Sequence, residues 1–101
     1  MRITTHPGEV LREEFMAPHG VSINKLAGDL DIPVSRVSDI VNARRAVTAD
    51  TALRLATYFK TSPEFWLNLQ SAFELSKLQA DKGKQIVASI REPARPFTTE
   101  T

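Results

Sequence analysis

The sequence predicts an all-α fold of five helices, two of them joined as a helix-turn-helix, with one short strand near the C-terminal end. Three observations predict it. Apolar residues recur at helical spacing in successive segments, helix-starting residues stand ahead of those segments, and only Asp31-Ile32-Pro33 separates the second segment from the third.

Pro7 is pre-set for the first turn of a helix, and His6 ahead of it reads as a cap. Glu9, Glu13 and Glu14 place negative charge toward the positive helix end, Glu9 and Glu13 as dipole complement, and Ala17-Pro18-His19-Gly20 is expected to break the helix after about residue 16. Ser22 then reads as an N-cap. Ile23, Leu26, Ala27 and Leu30 fall at i, i+3, i+4 and i+7, the stripe of a second helix over residues 23–30.

Val37, Ile40 and Val41 repeat the spacing in a third helix over about residues 33–42, and Asn42-Ala43-Arg44-Arg45 is its polar exit. Thr48 caps a fourth helix with Asp50 in its first turn and Ala52, Leu55, Ala56 and Phe59 on one face, closed by Lys60-Thr61. Ser62-Pro63 opens a fifth, lined by Phe65, Trp66, Leu69, Phe73 and Leu78 and running to about residue 80. Beyond Gly83, the alternation of Ile86, Ala88 and Ile90 reads as a strand over residues 85–90, and residues 95–101 read as disordered. The expected division is a helix-turn-helix domain over residues 1–82, with the motif at about 23–42, and a tail over 83–101.

A chain of 101 residues with 42% hydrophobic content is the size of one ordinary domain with a real core. It contains no cysteine, which excludes a disulfide framework and thiolate metal ligation and fits a reducing cytosol. The N-terminus has no apolar signal-peptide region, and no stretch approaches the roughly 18 apolar residues of a spanning helix, so no membrane association is expected. Thirteen Lys and Arg against twelve Asp and Glu give a net charge of +1, so any basic surface must be local.

In a helix-turn-helix the second helix is free to enter a DNA major groove. Ala27 stands where the two helices must approach, and Ile32, Val37 and Ile40 pack the second helix onto the first. Ser35, Ser38, Asp39 and Asn42 point away from that apolar side, and short polar groups come close to base edges without blocking groove entry. Val34, Ser35 and Arg36 hold the first turn, the end that reaches bases. Arg44 and Arg45 follow where a docked protein meets backbone phosphate, and Ser22 with the amides of the second helix meets another. Asp31 occupies the turn position that usually carries glycine because the backbone needs positive φ, a small strain cost for Asp.

Residues 6–75 resemble the HigA-type antitoxins, a branch of the Xre-like helix-turn-helix regulators with a lambda-repressor-like fold. The resemblance rests on HPGEVLREEF, DIPVSRVSDIVNARR, VTADTALRLATYF and, above all, TSPEFWLNLQSAFEL. It implies a cytoplasmic bacterial protein that binds a RelE-like, messenger-RNA-cleaving ribonuclease toxin and, as a homodimer on double-stranded operator DNA, represses its own operon. Position by position it implies Val34, Ser35, Arg36, Ser38 and Asp39 as the reading surface and Asn42, Arg44 and Arg45 as phosphate contacts.

A stand-alone repressor and a pure protein-interaction module are the competing expectations. An enzyme is not expected: there are two histidines, no glycine-rich phosphate loop and no GxSxG elbow. His19 reads as a loop residue, and no metal set, cofactor or small-molecule substrate is foreseen. Trp66 and Phe73 read as core or dimer interface. A lone strand at residues 85–90 needs a mate, the same segment of a second copy or an edge on another protein; a symmetric dimer is the commoner solution, so Ile86 and Ile90 are expected to pair with a second copy.

Overall fold

A computed structural model describes residues 5–94. Among them are five helices and no strand. Helix α1 spans residues 7–19 as an α-helical turn Pro7–Val10, a π-helical stretch Leu11–Met16 and a last turn Ala17–His19; α2 is Ile23–Leu30, α3 Val34–Val41, α4 Ala49–Phe59 and α5 Pro63–Ser89.

Four helices begin on a side chain that takes up an otherwise orphaned backbone N–H. His6 Nδ1 accepts from Gly8, and the Ser22, Thr48 and Ser62 hydroxyl oxygens accept from Lys25, Thr51 and Phe65. Three ends turn through the left-handed region, at Gly20, Asp31 and Lys60. Asp31, with φ 59°, adopts the conformation its position requires. Replacing it by glycine removes that strain while its carbonyl partners stay in place, so Asp31→Gly should raise stability by about 0.5–1 kcal/mol, read as a melting temperature several degrees higher. A lower melting temperature refutes this.

The core is Leu11, Leu26, Val37, Ile40, Leu55 and Trp66 with their neighbours. Phe15 lies against Phe59 and Trp66, ring centroids 5.2 and 5.1 Å away. Gly8 marks the closest approach of α1 to α3: a Cβ there would meet the Ile40 carbonyl. Any larger residue at position 8 therefore pushes α1 off the helix it supports. The buried Gln70 side chain accepts the Val47 N–H at 2.8 Å and donates to Glu74 at 2.7 Å, fastening the α3–α4 connection to α5.

The structure corrects three expectations. The strand at residues 85–90 is helix through Ser89, with Ile90 the first extended residue. A helix satisfies its own backbone, whereas no described strand is present to pair one, and Gly83 costs a helix only about 1 kcal/mol. Second, α1 continues past residue 16 to the left-handed Gly20. Pro18 lacks an N–H where bonding changes from i+5 back to i+4, the point at which that lack costs least. Third, Trp66 is 0% exposed, and its Nε1 donates to Thr61 Oγ1 at 2.8 Å; it belongs to the core and offers no surface to a partner. The expectation for residues 95–101 lies outside the described residues.

His6 is buried with its ring edge against Phe73, and because Nδ1 accepts a hydrogen bond, the proton sits on Nε2. Burial pushes its pKa below the ordinary value, against a smaller upward pull from Glu74. The unfolded chain therefore binds the proton first. This contribution to stability is complete above about pH 6.5 and is lost as pH falls from there toward the depressed folded value. In His6→Asn, which keeps an acceptor for Gly8, the melting temperature should fall less between about pH 7.5 and 5.5 than in the parent; equal falls refute the assignment.

Candidate nucleic-acid interface

Helices α2 and α3 are joined through Asp31, Ile32 and Pro33, and the turn is held from outside the motif. Ile32 N–H donates to Ala27 O at 3.1 Å, and Arg54 on α4 donates through Nη1 to Leu30 O at 2.7 Å and Asp31 O at 3.4 Å. Arg54 thus satisfies carbonyls left open at the end of α2. Its Nε donates to Asp50 at 2.9 Å, and the same Asp50 oxygen accepts Arg36 Nη1 from α3 at 3.0 Å. The Arg54 hydrogen bond, with Arg36 assisting and partial dehydration opposing, holds the Asp50 carboxyl below the usual carboxylate range. On the far side Tyr58 donates to Asp29 at 2.7 Å, tying α2 to α4 again, and Lys25 pairs with Asp29 at 3.1 Å.

Val34 is 47% exposed and Ser35 is also exposed, so the start of α3 faces solvent, as its short side chains require. Ser38 and Asp39 are half-buried on the following turn. Arg36 is turned sideways onto Asp50. The Asn42 side chain donates to Ser38 O at 2.8 Å, closing the end of α3 on itself. Ala43, with φ 60°, reverses the chain, and Arg44 N–H donates to Asp39 O at 2.7 Å. Arg44 and Arg45 both reach back to the Asp39 carboxylate, at 3.3 and 3.6 Å. The Ser22 oxygen accepts the Lys25 N–H, which leaves the hydroxyl proton to donate outward.

The structure therefore brings together Val34, Ser35, Ser38, Asp39, Arg44 and Arg45 on one side of α3. Phe73 and Ile86 lie elsewhere, on α5, and Ile90 just past its end, Phe73 half-buried and Ile90 65% exposed. The Arg36–Asp50–Arg54 bridge was missed from sequence; the i, i+4 spacing of Asp50 and Arg54 was its only local signal. No described group of three or more His, Asp or Glu is placed to hold a metal ion. No described helix is long and apolar enough to cross a membrane.

Residues 11–66 match the Helix-turn-helix family. A protein of Haemophilus influenzae named as an uncharacterized HTH-type transcriptional regulator is 39% identical over 101 residues, covering 99% of this chain and 94% of that one. The solved structure of an addiction module antidote protein of a HigA family from Coxiella burnetii is 47% identical with a TM-score of 0.83, covering 92% of this chain and 100% of that one. Pseudomonas aeruginosa antitoxin HigA, solved with the higBA promoter, is 44% identical with a TM-score of 0.84, covering 91% and 99%. These names are those of regulators and antitoxins, not of enzymes.

Proposed function

Because the chain belongs to the helix-turn-helix family, in its HigA-like branch, we propose that it is a sequence-specific DNA-binding antitoxin of the bacterial cytoplasm, one that neutralises a RelE-like ribonuclease and represses its own operon. The observation that carries this reading is the exposed, short-side-chained start of α3, set on a turn held from α4 and followed by Arg44 and Arg45. Val34, Ser35, Ser38 and Asp39 face the base edges in the major groove, with Arg36 at their margin. Ser22, Asn42, Arg44 and Arg45 meet phosphate.

The chain acts as a homodimer through α5, with helix against helix in place of strand against strand. Glu74, Lys77, Asp81 and Lys84 lie within about 80° of one another around that helix. Their signs reverse about Gln79, so an antiparallel second copy sets Glu74 against Lys84 and Lys77 against Asp81, with Leu78 at the edge of the stripe. Such a dimer presents two copies of α3 to major grooves about 34 Å apart.

A stand-alone repressor is the second reading, favoured by the regulator name of the Haemophilus relative. Co-expression with the product of the adjacent gene separates the two. Rescue of growth supports the antitoxin. Absence of a toxic neighbour, together with operator binding in a gel shift, supports the solitary regulator. A chain that selects no duplex from a random pool refutes both.

A further inference from the structure

The arginines in and just after the helix-turn-helix are all held by carboxylates. Arg36 is on Asp50, while Arg44 and Arg45 share Asp39, one guanidinium on each oxygen. The second arrangement is built by the backbone: the left-handed Ala43 and the Arg44 N–H to Asp39 O bond fold the two arginines back over the end of α3. The Asp39 side chain is 31% exposed, whereas Arg44 and Arg45 are 60% and 50% exposed, so the carboxylate is fixed and the guanidiniums are free to leave. A phosphate and the Asp39 carboxylate are competing acceptors for the same donors.

We infer that Asp39 is a specificity gate, a carboxylate that keeps Arg44 and Arg45 from phosphate on unrelated DNA and releases them where a cytosine amino group replaces them. The inference rests on the DNA-binding reading given above. On a wrong sequence, releasing the arginines strands a negative charge against the groove. On the right one, the cytosine N4 amino group donates to the carboxylate, and both arginines turn to the backbone. Asp39 therefore acts chiefly by weakening non-specific binding, a different role from adding affinity to the operator.

The test uses fluorescence anisotropy with two probes: a duplex selected by the wild-type chain from a random pool, and an unrelated duplex of equal length. Asp39→Asn, its fold checked by circular dichroism, should bind the unrelated duplex about 3- to 10-fold more tightly, with a reduced ratio of selected to unrelated affinity. The same substitution in an Arg44→Ala, Arg45→Ala background should give no such gain. Changing the cytosines of the selected duplex one at a time should weaken the wild type at one position where Asp39→Asn is indifferent. A gain that persists in the arginine-free background reduces Asp39 to a simple repulsive charge and overturns the gate, as does the absence of any gain. A wild-type chain that selects no duplex overturns instead the DNA-binding reading beneath it.

Discussion

Replacing Trp66 by alanine should lower the unfolding free energy by about 3–5 kcal/mol, a large part of the roughly 5–15 kcal/mol typical of a whole domain. The side chain is wholly enclosed, it packs on Phe15 and Phe65, and its N–H is satisfied by Thr61. Truncation thus leaves a cavity where α1, α4 and α5 converge and also deprives the Thr61 hydroxyl of its donor. Urea denaturation followed by circular dichroism gives the number. A loss below about 1 kcal/mol contradicts the core assignment, because an enclosed indole cannot be removed so cheaply. Sedimentation of whatever fraction still folds should show dimerisation unchanged, since no part of this ring reaches the surface.

The second large effect is on DNA. Arg44→Ala combined with Arg45→Ala should weaken binding to the selected duplex by about ten- to a hundredfold and to unrelated duplexes by less, because the phosphate contacts carry charge and no base code but are made fully only where Asp39 has let the arginines go. The slope of log K against log salt should flatten by roughly 0.9 for each phosphate that is no longer neutralised. Both arginines are exposed and stand on the same side of α3 as Ser35, so their removal leaves the core untouched. Binding to the selected duplex measured across a salt series decides it: an unchanged slope and affinity remove the two arginines from the interface, and a weakening with no change of slope makes them readers of bases.

What was legible in the sequence was local. His6, Ser22, Thr48 and Ser62 each announce a helix start by residue type, and each accepts the predicted kind of backbone N–H. The bounds of α2 follow from the cap at Ser22 and the stripe Ile23, Leu26, Ala27 and Leu30. Asp31 was readable as left-handed because the turn geometry demands it. Residues 85–90 were not readable, since the alternation of Ile86, Ala88 and Ile90 is a pattern that the exposed end of a helix also permits when no core constrains it. For Trp66, an apolar stripe says that a face is covered but not by what. The pairings of Arg36 with Asp50 and of Arg54 with Leu30 O span 14 and 24 residues, and no local pattern specifies partners at such separations.

The π-helical stretch Leu11–Met16 makes α1 a helix with a phase shift in it. Bonding at i+5 in place of i+4 takes up about one additional residue, which in an unbroken α-helix would rotate the parts on either side by roughly 100° relative to one another. Deleting one residue from 11–16 should therefore be absorbed as an ordinary α-helix, which elsewhere in a packed helix is not possible. The flanks keep their relative azimuth when that residue goes, because the widened turn had already absorbed its rotation, so Pro7 and Gly8 stay where they are. Gly8 then still faces Ile40, and α3 keeps the backbone it rests against. The widened stretch thus makes α1 tolerant of a change of length at the place where the first turn of the chain would otherwise be displaced from the helix it supports.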